Sequence, residues 1–280
     1  MITAPVNKII PFSSVDGPGN RTAVFFQGCN WNCKYCHNPE TRNYCINCMK
    51  CVENCPEGAL KSISGKVQFS EKLCKGCDTC ISVCPNGASP RILYLTPEET
   101  FRRIQKQMPF IRGVTVSGGE CSLYCDFITE LFSLCKKEGL HTMIDTNASI
   151  LFEGKTQLLK VTDSMMLDIK AFNEKQHENV TSASNENTLK NARFLAKEGK
   201  LYEVRTVVAQ GLFDIEDTIR KTGEMLLPYQ NISPIRYKLI SYRPFGVRKE
   251  YRIIESPTEQ YMEQLKKIAL ESGFSDVVTT

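Results

Sequence analysis

The sequence lacks any run of ~18 apolar residues, the length a membrane-spanning helix needs. It also lacks a charge excess: 35 Lys and Arg face 31 Asp and Glu, a formal +4. That balance leaves no electrostatic footprint for nucleic acid or a membrane surface. Met1 to Ile10 contains no apolar h-region and no small-residue cleavage site. No secretory signal is therefore expected, and the chain is expected to be cytoplasmic. Cysteine falls short of a disulfide scaffold: 14 in 280 residues is below the ~8–10% of short secreted chains. A hydrophobic fraction of 41% excludes disorder and suffices for one core with an insert. Thiols in this number, in a cytosolic chain, serve metals or catalysis.

The cysteines are unevenly placed. Eleven lie between Cys29 and Cys84, with only Cys121, Cys125 and Cys135 beyond. Three patterns fill that window: Cys29-x3-Cys33-x2-Cys36, Cys45-x2-Cys48-x2-Cys51-x3-Cys55-Pro56, and Cys74-x2-Cys77-x2-Cys80-x3-Cys84-Pro85. The second and third are one repeat with a period of 29 residues, Cys45 to Cys74. Its spacing is that of the two-cluster bacterial ferredoxin run, where three thiolates wrap one cubane and the fourth reaches the other. Cluster one is thus expected on Cys45, Cys48, Cys51 and Cys84, and cluster two on Cys74, Cys77, Cys80 and Cys55. Zinc is the competing occupant, but structural zinc pairs two C-x2-C units across a longer loop. The first triad has three cysteines and no obvious fourth. On a cubane that leaves one iron open for a small ligand, as in catalytic zinc sites. A zinc knuckle completed by His37 is the other reading of this spacing.

Thr22 to Gln27 reads as a buried strand that runs straight into Gly28-Cys29. The triad therefore sits at a strand's C-terminal end, where α/β folds place active sites. Further strands are expected at Gly113–Ser117, His141–Thr146, Ser164–Ile169, Glu203–Val208 and Arg236–Ile240. Helices are expected at 97–109, 126–138, 186–199, 214–227 and 257–271. Capping boxes Thr96-Pro97-x-Glu99 and Ser256-Pro257-x-Glu259 open the first and last of these. Cys135 shares an apolar helical stripe with Phe127, Ile128, Leu131 and Phe132, which makes it a core residue. The alternation predicts an α/β fold with a parallel sheet, six units making an incomplete barrel. Chemistry-bearing residues recur at the strand ends: Ser117 to Glu120, Asp145 to Asn147, Asp168 to Lys170, and Arg205. Charges among Val, Ile and Leu are costly to bury unpaired, so their recurrence predicts one polar cavity at the barrel mouth.

Cys29-x3-Cys33-x-Tyr35-Cys36 resembles the C-x3-C-x-aromatic-C motif of the radical S-adenosylmethionine (SAM) superfamily. Ser117-Gly118-Gly119-Glu120 resembles its SAM-amino-group motif. Ser14-Val-Asp16-Gly17-Pro18-Gly19-x-Arg21, followed by Phe26-Gln27-Gly28-Cys29, resembles the signature of glycyl-radical-enzyme activating enzymes. Many of these carry a two-cluster ferredoxin-like insert at this place. The likeness runs from about Lys8 to Gly246. Lys8-Ile-Ile-Pro-Phe12 and Met166-Leu-Asp-Ile-Lys170-Ala are most similar to the YjjW-type subgroup.

The resemblance implies a partial (β/α)6 radical SAM barrel with an inserted bacterial ferredoxin-like domain. Residues 1–41 would begin the barrel with the cluster loop, 42–92 form the insert, and 93–280 complete the barrel. Three [4Fe–4S] clusters are implied, with Cys29, Cys33 and Cys36 holding the catalytic one and SAM chelating its open iron. Tyr35 and His37 would lie near adenine. Gly118, Gly119 and Glu120 would hold the methionine amino group, and Asn147, Lys170 and Arg205 the ribose and carboxylate. Asp145, Thr146, the Met166 carbonyl and Asp168 match a monovalent-cation site of related activases. Asp16 would face the target glycine loop. The implied activity is reductive cleavage of SAM to methionine and a 5′-deoxyadenosyl radical, which takes a hydrogen from one glycine of a partner. That partner is a glycyl radical enzyme, a pyruvate-formate-lyase-like protein, and flavodoxin or ferredoxin supplies electrons. Nucleic acid and membrane are not expected partners.

Two positions depart from the family pattern. Cys121 stands where proline is common, and Arg243 where some relatives place a SAM-contacting histidine. Cys121 and Cys125 are expected to be packing residues. Other readings are a radical SAM enzyme acting on a small molecule or nucleoside, a non-catalytic iron–sulfur electron carrier, and a zinc-binding interaction protein. Asp16-Gly-Pro-Gly argues against the first, and the triad with Gly118-Gly119-Glu120 would be idle in the second. Eleven thiolates against three cubane cores of about +2 each would shift the formal +4 to about −1.

Overall fold

The computed structural model describes residues 2–280. Strands β1 (Ala4–Ser13) and β2 (Arg21–Phe26) open the chain. The cysteine-rich stretch holds helix α1 (Lys50–Glu53), strands β3 (Leu60–Ile63) and β4 (Lys66–Phe69), and helix α2 (Thr79–Ser82). Strand β5 (Leu93–Leu95) and helix α3 (Pro97–Gln105) follow. Alternation then sets in: β6 (Gly113–Gly118), α4 (Cys125–Lys137), β7 (His141–Thr146), α5 (Thr156–Val161) and β8 (Ser164–Asp168). It continues with α6 (Glu174–Thr181), α7 (Glu186–Lys197), β9 (Leu201–Val208), α8 (Ile215–Leu226), β10 (Arg236–Ser241), α9 (Glu259–Glu271) and β11 (Asp276–Thr279). Among the described residues no helix is long and apolar enough to cross a membrane.

One nine-stranded sheet runs in the order β11-β10-β9-β8-β7-β6-β2-β1-β5. Every neighbouring pair from β2 to β11 is parallel, and β1 pairs antiparallel with β2 and β5. Among the described residues the outer sides of β5 and β11 stay unpaired, so the sheet does not close. The six expected units, β2 and β6 to β10, are contiguous within it. β11 extends one edge and the β1–β5 pair the other. Antiparallel strands need no crossover helix, so β–α alternation gives no sign of β1 and β5.

Period-two alternation gives the sheet two unlike faces. Val24, Phe26, Val114, Val116, Ile144, Met165, Leu167 and Val204 belong to the apolar core, with Phe127, Ile128, Leu131, Phe132 and Cys135 of α4. The intervening Thr115, Ser117, Asp145, Asp168, Glu203 and Arg205 take the other face. Polarity is therefore not confined to strand ends: Arg205 is mid-strand, because β9 starts at Leu201, ahead of the expected Glu203.

Helix boundaries show where local chemistry decides. The Thr96 box forms: its hydroxyl accepts from the Glu99 amide at 3.2 Å, and the Glu99 carboxylate accepts from the Thr96 amide at 2.9 Å. α3 ends at Gln105, short of the expected 109, and a 3-10 turn over Met108–Phe110 follows. Pro109 lacks an amide proton and would clash with the turn before it. The last helix starts two residues late. Thr258 caps it by accepting from the Tyr261 amide at 3.2 Å, so Pro257 lies outside and Glu259 begins the helix.

Within the cysteine-rich stretch, β3 and β4 form a separate two-stranded sheet. The sequence repeat is also a backbone repeat. Asn47 and Met49 in the first run, and Gly76 and Asp78 in the second, are left-handed, with φ of 55°, 63°, 73° and 60°. Each pair leads into a one-turn helix that carries the next cysteine, Cys51 on α1 and Cys80 on α2. The apolar cluster here holds three buried residues, Cys51, Leu60 and Cys80. That is far less than a unit of this size needs to fold on apolar burial alone.

The segment between β1 and β2 is pinned to the inner face by Arg21, which is 1% exposed. Its Nε donates to Thr115 Oγ1 at 2.7 Å, and its Nη2 to the Val114 and His141 carbonyls at 2.8 and 3.1 Å. Burial pulls its pKa down to about 10, against the pull of Asp163 and Asp16. A Cβ on neighbouring Gly17 would stand 2.6 Å from Met143 Sδ. Arg21→Ala leaves several buried acceptors bare, each costing ~1–3 kcal/mol. Thermal unfolding should show a melting temperature lower by roughly 6–12 °C, whereas a drop under about 2 °C would deny Arg21 the pinning role.

Candidate functional site

Backbone bonds hold the triad loop on both limbs. The Gly28 amide donates to the Thr41 carbonyl at 2.7 Å and the Cys29 amide to that of Arg42 at 3.0 Å. On the far limb the Asn32 and Lys34 amides donate to the Thr181 and Val180 carbonyls at 2.7 and 2.9 Å, at the C-terminus of α6. Arg248 approaches from a third side, its Nη2 donating to the Cys33 carbonyl at 3.1 Å. Nothing in the sequence signals this arginine, which lies far down the chain after β10. Burial pushes the thiols of Cys29 and Cys33 up to about 12, and that of Cys36 up as well. Thiolates here therefore need a strong positive partner. Lys170 opposes the shift at all three, and its Nζ sits 2.8 Å from Asp168 Oδ2 and 5.7 Å from the centre of the Tyr35 ring. Burial disfavours the Lys170 charge, but Asp168, Tyr35 and Cys33 outweigh it and keep the ammonium protonated.

The Ser117–Glu120 run lies against this loop. The Gly119 amide donates to the Phe26 carbonyl at 2.9 Å and the Glu120 amide to that of Gly28 at 2.8 Å, prolonging the β2–β6 pairing. Glycine is required here by the protein's own backbone. A Cβ on Gly118 would stand 2.2 Å from the Phe26 nitrogen, and one on Gly119 2.2 Å from the Gly28 oxygen. The buried Glu120 carboxylate accepts from the Ser122 amide at 2.9 Å, from Thr146 Oγ1 at 2.5 Å and from the Asn147 amide at 2.7 Å. Burial raises its pKa and these donors oppose the rise. They fill three of the ~four acceptor positions of a carboxylate. Glu120, expected as a direct ligand contact, ties the end of β6 to the turn after β7 and keeps one acceptor position for a ligand. That turn puts Asn147 Nδ2 4.0 Å from Cys29 Sγ.

Across the inner face Arg205 joins three strands. Its Nη1 lies 3.0 Å from Asp145 Oδ1, its Nε donates to Glu203, and its Nη2 contacts Met166 Sδ. Burial disfavours the guanidinium charge, but Asp145, Glu203 and Asp168 outweigh it. Glu203 is a partner that sequence reasoning missed, although Glu203-x-Arg205 places both on one strand face. Asp145 and Asp168 are each paired with a cation of the chain, and the Thr146 hydroxyl is engaged by Glu120. Among the described residues no three His, Cys, Asp or Glu side chains gather where a single ion could sit. His37 Nε2 meets the Arg243 carbonyl at 3.1 Å, so Arg243 touches the site through its backbone.

A cavity of about 1630 Å³ brings together Asp16, His37, Gly118, Asp145, Arg248 and, from the insert, Cys74. It exceeds the ~300–1,000 Å³ of small-molecule pockets. The triad thiols, Tyr35, Glu120, Asn147, Lys170 and Arg205 do not line it. A smaller cavity is lined by Cys55, Cys74, Cys77 and Cys80, the set expected around cluster two. The Asn47, Gly76 and Ala88 amides donate to the sulfurs of Cys45, Cys74 and Cys84, each at 3.4 Å. The Trp31 amide does the same to Cys29 at 3.4 Å. Turns that aim successive amides inward are anion-binding nests of the kind iron–sulfur sites use. All fourteen cysteines are free thiols. Cys121 and Cys135 are buried in the apolar core, and Cys125 bonds the Ser122 carbonyl at 3.0 Å, so these three pack.

The radical SAM superfamily profile matches residues 23–222. The pyruvate formate-lyase-activating enzyme of Streptococcus mutans is 32% identical, over 95% of this chain and 91% of that protein. The chain belongs to the radical SAM superfamily, among its glycyl-radical-enzyme activating enzymes. The trans-4-hydroxy-L-proline dehydratase activating enzyme of Clostridioides difficile is 31% identical, over 93% of this chain and 94% of that protein. SuiB of Streptococcus suis, solved with precursor peptide SuiA, has a TM-score of 0.60 at 13% identity. This chain is covered to 91% and spans about half, 47%, of SuiB, a likeness of fold alone. A radical SAM enzyme works with a [4Fe–4S] cluster and SAM. The triad fits that cluster, with three free thiols on a loop fixed at both limbs and an amide aimed at the Cys29 sulfur.

Glu120→Gln keeps the side-chain volume but turns an NH2 group toward donors that need an acceptor. It should raise the SAM dissociation constant roughly tenfold, read by anaerobic equilibrium dialysis, and a change under about twofold would deny Glu120 its tie role. Behind the loop, Trp31 meets His177 edge-on at 4.8 Å. Burial pulls the His177 pKa down to about 4, while the unfolded chain titrates near ~6.5. His177 thus favours unfolding once protonated: stability is full above pH ~6.5 and falls by ~1.4 kcal/mol per pH unit on acidification toward about 4. Denaturant unfolding between pH 7 and 5 should reveal this slope. His177→Phe, which keeps a ring against Trp31, should flatten it; parallel slopes in the two proteins would exclude His177 as the source.

Proposed function

We propose that the chain generates a glycyl radical on a partner enzyme related to pyruvate formate-lyase. The observation that carries this reading is the large cavity in which Asp16 of the signature segment meets His37, Gly118 and Asp145. Its size, above that of a small-molecule pocket, suits a polypeptide loop entering at the mouth of the site. In this reading Cys29, Cys33 and Cys36 hold the cluster. When bound, that cluster supplies the electron that splits SAM into methionine and a 5′-deoxyadenosyl radical, which takes a hydrogen from a glycine Cα.

The chain's own task is placement. Tyr35 and His37 flank adenine, Gly118 and Gly119 present backbone to the methionine amino group, and Asn147, Lys170 and Arg205 serve the ribose and carboxylate. The Asp168–Lys170 and Asp145–Arg205 pairs hold these cations in fixed orientation, so little reorganisation follows when the sulfonium charge is lost. Asp16 faces the incoming loop, and the bare Cα of glycine permits close approach.

Residues 42–92, set between barrel segments 1–41 and 93–280, act in this reading as a ferredoxin-like relay with two further [4Fe–4S] clusters. The scarcity of apolar core there supports it, because bound clusters supply folding energy that burial does not. A flavodoxin or ferredoxin in the cytoplasm delivers the electrons. The Lys8–Phe12 run favours the YjjW-type subgroup as the finer placement.

Anaerobic protein should carry about twelve irons per chain and release 5′-deoxyadenosine from SAM once reduced by dithionite. Incubation with pyruvate-formate-lyase-like candidates should then raise a glycyl doublet in electron paramagnetic resonance. SAM cleavage by Cys33→Ala at the wild-type rate would overturn the triad's role, and zinc without iron would overturn the cluster assignment.

A further inference from the structure

The insert is joined to the triad loop through a neck whose contacts are unusually specific. Gln27, the residue before Gly28, has no exposed surface. Its side-chain amide donates to the carbonyls of Glu40 at 2.7 Å and Asn43 at 2.5 Å, and its oxygen accepts from Asn7 Nδ2 at 2.7 Å. Its backbone carbonyl accepts from Tyr124 Oη at 2.5 Å, with Tyr44 Oη at 3.5 Å. The two phenols also bond each other. They press on the loop so closely that a Cβ on Gly28 would stand 2.2 Å from Tyr44 Oη. Tyr44 immediately precedes Cys45, and its own carbonyl accepts from Asn86 Nδ2 at 2.8 Å. Asn86 in turn follows Cys84 closely and accepts from Asn43 Nδ2 at 2.7 Å. The two ends of the expected cluster-one set, Cys45 and Cys84, are therefore both tied to the neck. Cys74 of the other set lines the large cavity with Asp16 and His37, on the side where the partner loop would enter.

We infer that Tyr44 and Tyr124 latch the insert to the triad loop so that the cluster on Cys45, Cys48, Cys51 and Cys84 is the one that passes electrons to the catalytic cluster. This rests on the three-cluster reading above. Electron tunnelling decays steeply with distance, and more steeply across gaps than through bonds and hydrogen bonds. The phenols bridge the Cys45 segment to Gln27–Gly28–Cys29 by hydrogen bonds without an intervening gap. In each transfer cluster one is oxidised by one electron and the catalytic cluster is reduced by one. The electron comes ultimately from a low-potential one-electron donor. Tyr44 and Tyr124 are positioning residues, since neither is a cluster ligand.

The test needs no partner protein. Anaerobic holoenzyme is fully reduced with dithionite, freed of excess reductant and mixed with SAM. A glycine-containing peptide in excess supplies the hydrogen atom that turns the 5′-deoxyadenosyl radical into 5′-deoxyadenosine, so each product consumes one electron from the clusters; a connected chain should yield about three 5′-deoxyadenosines per molecule, and an isolated catalytic cluster about one. Paramagnetic resonance of frozen samples follows reoxidation of the insert clusters, a readout that simple loss of stability would not move. The Tyr44→Phe/Tyr124→Phe double variant retains both rings. It should give a normal first product, while insert reoxidation and later products slow by roughly tenfold or more. Cys48→Ser should stop near one product and Cys77→Ser near two. A yield of about one from wild type would overturn the relay, and no product at all would overturn the proposed function instead. Near-one yields from Cys77→Ser with more from Cys48→Ser would assign the transfer to cluster two and refute the latch. Unchanged reoxidation in the double variant would refute it as well.

Discussion

At the end of β2, three stretches of backbone lie so close together that no Cβ fits between them. A Cβ on Gly118 would meet the backbone of Phe26, and one on Gly119 the backbone of Gly28 and Thr41, while one on Gly28 would meet the Tyr44 phenol. That closeness lets the Gly119 and Glu120 amides bond the Phe26 and Gly28 carbonyls. It thereby brings the Ser-Gly-Gly-Glu run against the loop bearing Cys29. Glu120 carries the tie onward to Thr146 and Asn147. The loop bearing the triad, the Ser117–Glu120 run and the turn after β7 thus become one rigid corner. A larger residue at Gly118 or Gly119 would push these backbones apart.

Charge on the inner face is organised to match. The sheet sends its apolar side chains toward the helices and keeps Asp145, Asp168, Glu203 and Arg205 on the other side. Buried charges of this kind are tolerated because they are paired: Arg205 with Asp145 and Glu203, Lys170 with Asp168. Lys170 also faces the thiols that burial drives toward the neutral form. The triad thiols therefore call for a ligand that brings positive charge to the sulfurs, and the [4Fe–4S] cluster of a radical SAM enzyme does so.

The insert obeys a different logic. Its sequence repeat reappears as left-handed residues at matching places, each preceding a one-turn helix. Left-handed backbone at Met49 costs about 1–2 kcal/mol without glycine's freedom, and so little apolar core does not offset it. Bound clusters would. The same turns aim amides at the sulfurs of Cys45 and Cys74.

Much of the site was legible in the residues alone. Cysteine spacing is a local property, because ligands two or three residues apart must face one cluster whatever the rest of the chain does. The strands β2, β6, β7, β8 and β10 were readable because alternation and apolar content are local too. The antiparallel edge strands, the Thr258 cap and the early start of β9 were not, since each depends on neighbours distant in sequence. The motif residues Glu120, Asp145 and Arg205 were visible, but their partners were not. Sequence could name a carboxylate, while only the packed sheet decided that Glu120 holds Thr146 and Asn147 and that Arg205 holds Asp145 and Glu203. Likewise the spacing pointed to three thiol sets by itself. The neck that joins one of them to the triad loop, through Tyr44, Tyr124 and Gln27, exists only when three separate segments fold against one another. The reason is physical: covalent spacing fixes which atoms can share a metal cluster, but buried polar groups find their partners through space.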